Sequence, residues 1–159
     1  MVNIHIEDKK NFTSNLFVKE TFDEFYLVEA SVTTFNTFTI DGRIQKGFYT
    51  DEEYDNMGSP QLSMWKDVKR FCFEIIKGNK MPIKFKIILK AGKNLTEDIV
   101  EKSGGTIIPG DVQGLLLNIR FENGSIDCIT GTTLNIFSLD KSVEEGFDKY
   151  VEKWLLEWG

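Results

Sequence analysis

The stretch from residue 115 to residue 134 constrains the fold more than any other part of the chain. Residues 115–121 (LLLNIRF) have strand-forming side chains, Asn123-Gly124 is a two-residue turn of the kind that needs positive φ, and Ile126 begins the return. A two-residue loop fixes the pairing: Glu122 faces Ser125, Phe121 faces Ile126, Arg120 faces Asp127 and Ile119 faces Cys128. Apolar then meets apolar on one face and opposite charges meet on the other, and a slip of one residue destroys both matches. A chain with this hairpin is committed to an antiparallel sheet.

The Thr- and Phe-rich residues 33–40 suit a strand, and alternation predicts further strands at residues 2–6 (Val2, Ile4, Ile6 on one side), 26–32 (Tyr26, Val28, Ala30, Val32 inward) and 83–90. In the last of these Ile83, Phe85, Ile87 and Leu89 alternate with Lys84, Lys86, Ile88 and Lys90. Asp41-Gly42 reads as a second hairpin turn, with residues 43–48 returning as a short strand. Gly131 reads as a bulge or bend before strand at 134–139.

Helices are marked by their caps. Asp8 caps a helix over 9–19 with Phe12, Leu16 and Phe17 on one face. Capping boxes at Thr21/Glu24 and Thr50/Glu53 predict two short helical turns, the second stopped by Gly58 and Pro60. Ser63 opens a longer helix whose stripe is Trp65, Val68, Cys72, Ile75 and Ile76, ending at Gly78. Thr96 caps a short helix that ends at Gly104-Gly105. A Ser142/Glu145 box opens the closing helix, with Val143, Phe147, Tyr150, Val151, Trp154, Leu155 and Trp158 on one stripe.

These elements add up to one α+β domain over residues 1–159: a mostly antiparallel sheet from two strand–helix–strand–strand halves (2–48 and 63–139), with an added C-terminal helix. A chain of 159 residues buries about 68–70% of its unfolded surface and needs no metal or disulfide to fold. Its 13 Phe, 3 Trp and 4 Tyr supply the core. The acidic, turn-forming stretch 49–63 reads as a surface excursion. No signal peptide is expected, because no positively charged start precedes an apolar run of about 7–15 residues; no apolar run approaches the ~20 residues of a membrane helix, and Cys72 and Cys128 read as buried free thiols. The expected location is cytoplasmic.

Most catalytic arrangements lack their residues. The single histidine, His5, lies in a strand and reads as structural or exposed, so His-based triads and zinc sites have no support. There is no CxxC, HExxH or GxGxxG, and Gly92-Lys93 is followed by Asn94 where a phosphate loop needs Ser or Thr. No cofactor is expected. The run Asp51, Glu52, Glu53, Asp55 has the chemistry to hold a hard cation but reads as a solvated helix start.

Two features nominate binding residues. Lys66, Lys69, Arg70 and Lys77 ride the outer side of the Trp65 helix and, with Lys9 and Lys10, offer a local phosphate-contacting face on a chain of net charge −6. The stretch Thr34-Phe35-Asn36, within a Thr- and Phe-rich segment, offers hydroxyls and aromatics to a ligand or peptide edge.

The segments 27–43 (LVEASVTTFNTFTIDGR), 65–78 and 114–120 (GLLLNIR) resemble a family of uncharacterised clostridia-like Firmicutes proteins of about this length. That resemblance covers essentially the whole chain and implies no activity, cofactor or site. The repeated strand–helix–strand–strand order, with the hairpin Leu115-Leu116-Leu117 … Asn123-Gly124 … Thr130-Gly131-Thr132-Thr133-Leu134, resembles one domain of a DNA sliding clamp. The inserted Thr96 helix, the added C-terminal helix and the single copy depart from that pattern. The expected function is a non-catalytic cytoplasmic binding or interaction protein, with a protein partner or self-association through the C-terminal helix, and no membrane partner. The alternatives are a clamp-like nucleic-acid-associated protein and a metal-dependent enzyme using clustered carboxylates.

Overall fold

In a computed structural model describing residues 1–159, the 112–134 hairpin forms in the register its side chains demand. β5 (Val112–Glu122) pairs with β6 (Ser125–Leu134), with Phe121 opposite Ile126, Arg120 opposite Asp127 and Ile119 opposite Cys128. Asn123 and Gly124 both take positive φ, 54° and 76°, as the two-residue turn requires. Around this pair the chain assembles one six-stranded antiparallel sheet, with β1 (Asn3–Ile6), β2 (Tyr26–Thr33), β3 (Thr37–Asp41) and β4 (Lys84–Lys90), in the order β1-β6-β5-β4-β2-β3. The two halves interleave: β1 closes one edge, β2 and β3 the other, and the strands of the second half fill the middle.

The helices are α1 (Lys9–Phe17), α2 (Asp51–Asn56), α3 (Trp65–Ile76), α4 (Lys93–Ser103) and α5 (Ser142–Trp158). One cluster of 28 buried residues joins the sheet to α1, α3, α4 and α5. Its strand members (Phe85, Ile87, Leu89, Leu117, Ile119, Phe121, Ile126, Cys128) alternate with the solvent-side Lys84, Lys86, Arg120, Glu122 and Asp127. The sheet is therefore covered on one side only, as an amphipathic antiparallel sheet permits. Trp65 is fully buried and its indole Nε1 donates to the Leu16 carbonyl at 2.8 Å, binding α3 to α1. α5 places Val143, Phe147, Val151 and Leu155 in the core, and Trp154 and Trp158 pack on Phe22 and Phe25 with ring centroids 5.1–5.7 Å apart. The aromatic stripe of the C-terminal helix thus lies against its own chain.

Several local expectations are corrected. The turn between β2 and β3 is Thr34-Phe35-Asn36, not Asp41-Gly42, because Thr33 pairs with Thr37 and Asp41 is still on the ladder opposite Glu29. Gly42 instead runs on against β2, its N–H donating to the Val28 carbonyl at 3.0 Å. Residues 43–48 make only a bridge from Arg43 to Leu62 and a single 3-10 turn at Lys46–Phe48. A register shift between Leu27 and Glu29 turns Leu27, rather than Tyr26 and Val28, into the core, where it joins Ala30 and Val32. Gly131 pairs regularly with Leu116, the irregularity of that hairpin lies between Val112 and Gly114, and β6 stops at Leu134.

Three helix starts also move. The Thr21 hydroxyl donates to Asn15 Oδ1 instead of capping a helix, and residues 21–24 form turns. α4 begins at Lys93, three residues before Thr96, whose hydroxyl donates back to the Gly92 carbonyl inside the helix. α3 and α5 start after Met64 and Lys141 with no side-chain cap. The box at Thr50 and Glu53 and the left-handed cap at Gly104 (φ 69°) form as expected.

Candidate functional site

One end of the sheet gathers the β2–β3 turn, the start of β4 and the β5–β6 turn. The order is set by pairing: Thr33 opposite Thr37 and Lys84, Lys84 opposite Glu122, Glu122 opposite Ser125. The first turn of α1 reaches the same end, where the Lys9 ammonium donates to the Gly124 carbonyl at 2.5 Å. Between α1 and the connection from α3 to β4 (residues 77–83) the core opens to the surface. The result is a groove of about 510 Å³. Its floor is Phe17, Phe73, Phe85, Phe121 and Ile126. The Phe85 and Phe121 rings stack at 5.3 Å and Phe17 meets Phe85 edge-on at 5.7 Å, which holds the floor in place. Its rim carries Lys9, Lys10, Lys77 and Lys80, and no carboxylate lines it.

A second groove of about 650 Å³ lies on the other side of the same connection, between it and the hairpin tip. Phe35, Ile75, Ile76, Met81 and Ile83 line it, again with Lys77 and Lys80 and without a carboxylate. The depression between α4 and α5 shows the contrast, since Asp98 and Glu157 there face Lys102, Lys149 and Lys153. In a chain with 25 acidic and 19 basic residues, two adjoining grooves free of acid mark a local positive end. Glu74 sits just outside and holds Lys77 at 2.9 Å, while Lys10 and Lys80 have no acidic partner within ion-pair distance.

The residues nominated from sequence divide in space. Thr34 and Phe35 line the second groove together with Lys77, although 43 and 42 positions separate them in the chain, and Asn36 completes the same exposed tip. The other α3 cations do not join them. Lys69 is structural: its ammonium contacts Asp23 at 2.5 Å and the Lys19 carbonyl at 2.8 Å, and the two side chains are only 15% and 16% exposed. Lys66 is exposed, and the Arg70 guanidinium lies 4.7 Å over the ring of its neighbour Phe71. The four α3 cations therefore do not make one free basic face. Lys80, Met81 and Ile83 were not singled out, yet the run 77–84 (KGNKMPIK) carries three lysines and no acid, which is the signal that finds them.

The remaining chemical candidates stand apart. His5 Nδ1 lies 3.3 Å from Asp127 Oδ1 in the open at the sheet edge. The carboxylate of Glu53 accepts from the backbone N–H of Thr50, which holds its pKa below the ordinary value, so it serves the cap of α2. No group of three or more His, Cys, Asp and Glu side chains is placed to hold a metal ion. Burial pushes the thiols of Cys72 and Cys128 up to about 11 and about 12, and both are free. No helix is long and apolar enough to cross a membrane.

Comparison with curated proteins and with solved structures finds no match. Residues 15–158, which hold β2 to β6, α2 to α5 and the whole lining of the second groove, but not β1 or the Lys9, Lys10, Thr13 and Ser14 wall of the first, match the model of DUF5721, a family of unknown function, and the chain belongs to that family.

Proposed function

We propose that this protein is a non-catalytic binding protein and that its ligand is an amphiphilic anion, an apolar body with a negative head, held in the groove between α1 and residues 77–83. The observation that carries the reading is the pairing of an aromatic and aliphatic floor with a lysine rim that contains no carboxylate. A volume near 510 Å³ falls in the range of small-molecule sites, about 300–1,000 Å³. The floor removes an alkyl chain from water, which is worth about 0.8 kcal/mol per buried CH₂. Lys10 and Lys80 reach the head from opposite walls, as point charges on flexible stems. The cytoplasmic location expected from the sequence suits this reading.

Calorimetric titration with oleate, oleyl alcohol and duplex DNA tests it. Oleate binds saturably below its micelle concentration, the uncharged alcohol binds more weakly, and Lys10→Glu with Lys80→Glu weakens oleate and leaves the alcohol unchanged. Thr13→Glu, on the α1 wall of the groove, also weakens oleate. Absence of oleate binding, or binding indifferent to these exposed substitutions, refutes the assignment. Salt-sensitive binding of DNA in preference to oleate moves the reading to the clamp-like alternative.

A further inference from the structure

The second groove and the tips around it have a property the first does not explain: large apolar side chains stand out in water at the ends of connections. Phe35 is 86% exposed, Met81 71% and Ile83 65%. Phe35 occupies the middle of the β2–β3 turn, held upright by an edge-on contact with Phe38 at 5.8 Å. The Ile83 N–H donates to the Thr33 carbonyl at 2.8 Å, so the base of that turn and the start of β4 are fastened together. The tips are thus presented side by side on a hydrogen-bonded frame, with Lys77, Lys80 and Lys84 between and behind them.

We infer that this end of the molecule docks on an anionic lipid bilayer, with Phe35, Met81 and Ile83 entering the interface and Lys77, Lys80 and Lys84 meeting the headgroups. The inference goes beyond the ligand reading: it shares Lys77, Lys80 and Met81 with the first groove but turns on Phe35 and Ile83, which line only the second, and on Lys84, which lines neither. Apolar tips ringed by lysine match a surface that is negative outside and apolar a few ångströms below. The opposite end of the sheet is the internal comparison. It exposes Ile108, Phe137 and Leu139 as well, but beside Asp111 and Asp140, and its Lys141 already pairs with Glu144 at 3.7 Å. Only the lysine end complements negative headgroups. The acids at this end do not cancel it: Glu74 occupies one of the three lysines, Glu122 stands opposite Lys84 on the ladder without an ion pair, and Glu7 and Asp8, at the start of α1, line neither groove.

The test uses Phe35→Cys labelled with a polarity-sensitive fluorophore. Cys72 and Cys128 are buried, so the label goes to position 35 alone. Vesicles of phosphatidylcholine with phosphatidylglycerol shift the emission to the blue, and phosphatidylcholine alone does not. The same label at Phe137→Cys stays water-exposed in both. In co-sedimentation of the unlabelled chain, Phe35→Ser weakens partitioning about tenfold, since a phenyl ring leaves the interface. Lys80→Ala and Lys84→Ala each weaken it about fivefold, an effect that fades at high salt. No partitioning of the full chain into anionic vesicles at low salt overturns the inference, as does partitioning in which position 137, not 35, enters the lipid. Phe35→Ser and Ile83→Ser leave oleate titration unchanged, so failure here and failure of the ligand reading are told apart.

Discussion

Gly42 separates two accounts of the same dipeptide. As the second residue of an Asp-Gly hairpin turn it needs positive φ, and Asn, which tolerates that region, replaces it at little cost. The structure gives it another task. Its φ lies outside the left-handed region, and a Cβ at this position overlaps the Leu27 carbonyl oxygen, lies 2.5 Å from its carbon and 3.0 Å from the Val28 oxygen. Gly42 is glycine because β2 passes against it at its bulge.

The neighbours have little freedom to yield. The Gly42 N–H donates to the Val28 carbonyl at 3.0 Å, its own carbonyl accepts from the Ser63 N–H at 2.8 Å, and the Leu27 N–H donates to the Ser63 carbonyl at 2.8 Å. Any side chain forces these segments apart and stretches two or three of these bonds. Each contributes about 1 kcal/mol, and each buried group left unpaired costs about 1–3 kcal/mol. Leu27, wholly buried, moves with them. Gly42→Ala therefore costs about 3–5 kcal/mol, a large part of the 5–15 kcal/mol of a typical domain, and Gly42→Asn costs as much or more. Urea unfolding followed by far-UV circular dichroism reads this as a lower midpoint at unchanged slope. If Gly42→Asn unfolds within about 0.5 kcal/mol of the parent while Gly42→Ala is destabilised, the residue is serving a positive-φ turn and the close-approach account is wrong.

Three further outcomes are expected. Lys69→Met breaks two charge-assisted contacts and strands Asp23, so it costs about 2–4 kcal/mol in the same unfolding assay, while Lys66→Ala and Arg70→Ala stay within about 0.5 kcal/mol; equal effects at the three positions contradict a structural role for Lys69. Deleting residues 142–159 removes four core side chains worth about 1.5–3 kcal/mol each, as much as a whole domain's stability, so the shortened chain shows no cooperative thermal transition; a folded truncated chain shows that the α5 face is dispensable. Native protein at neutral pH leaves both thiols unreacted with a disulfide reagent, because burial raises them to about 11 and about 12, and denatured protein releases two equivalents; a fast native thiol contradicts the packing of Cys72 or Cys128.

Features that depend on near neighbours in the chain were legible. The 112–134 hairpin fixes its own register, because its turn chemistry and its cross-strand pairs agree. α1, α3 and α5 announce their core faces by spacing, and Thr50 and Glu53 find each other within one turn. The errors fall where a distant segment decides. The alternation of β2 breaks at the bulge that accommodates Gly42 and Ser63, so Tyr26 and Val28 lose the core to Leu27. Asp41-Gly42 carries a hairpin signature, but pairing with β2 extends β3 through Asp41 and moves the turn to Thr34-Phe35-Asn36. Ser142 stands where a cap belongs, and the backbone places Lys141 there instead.

The candidate site shows the same division in its charges. Four α3 cations at helical spacing suggest a shared outer face, yet a cation's availability depends on what packs beside it. Asp23 and the Lys19 carbonyl, some 50 positions upstream, take Lys69 into the fold. Lys77 belongs instead with Lys9, Lys10 and Lys80, which reach it from α1 and the α3–β4 connection. The net charge of −6 is an average over a surface many of whose acids lie on α2, on α4 and α5 and at the far turn with Asp111 and Asp140, and none of whose acids line the two grooves. An acidic chain thereby keeps a positive end. The same geometry explains why that end is apolar, since the sheet is covered on one face and its Phe17, Phe85 and Phe121 layer runs out to the surface where α1 and the connection stand apart. The groove lies where the core is left open, and only the three-dimensional pairing of strands says where that is.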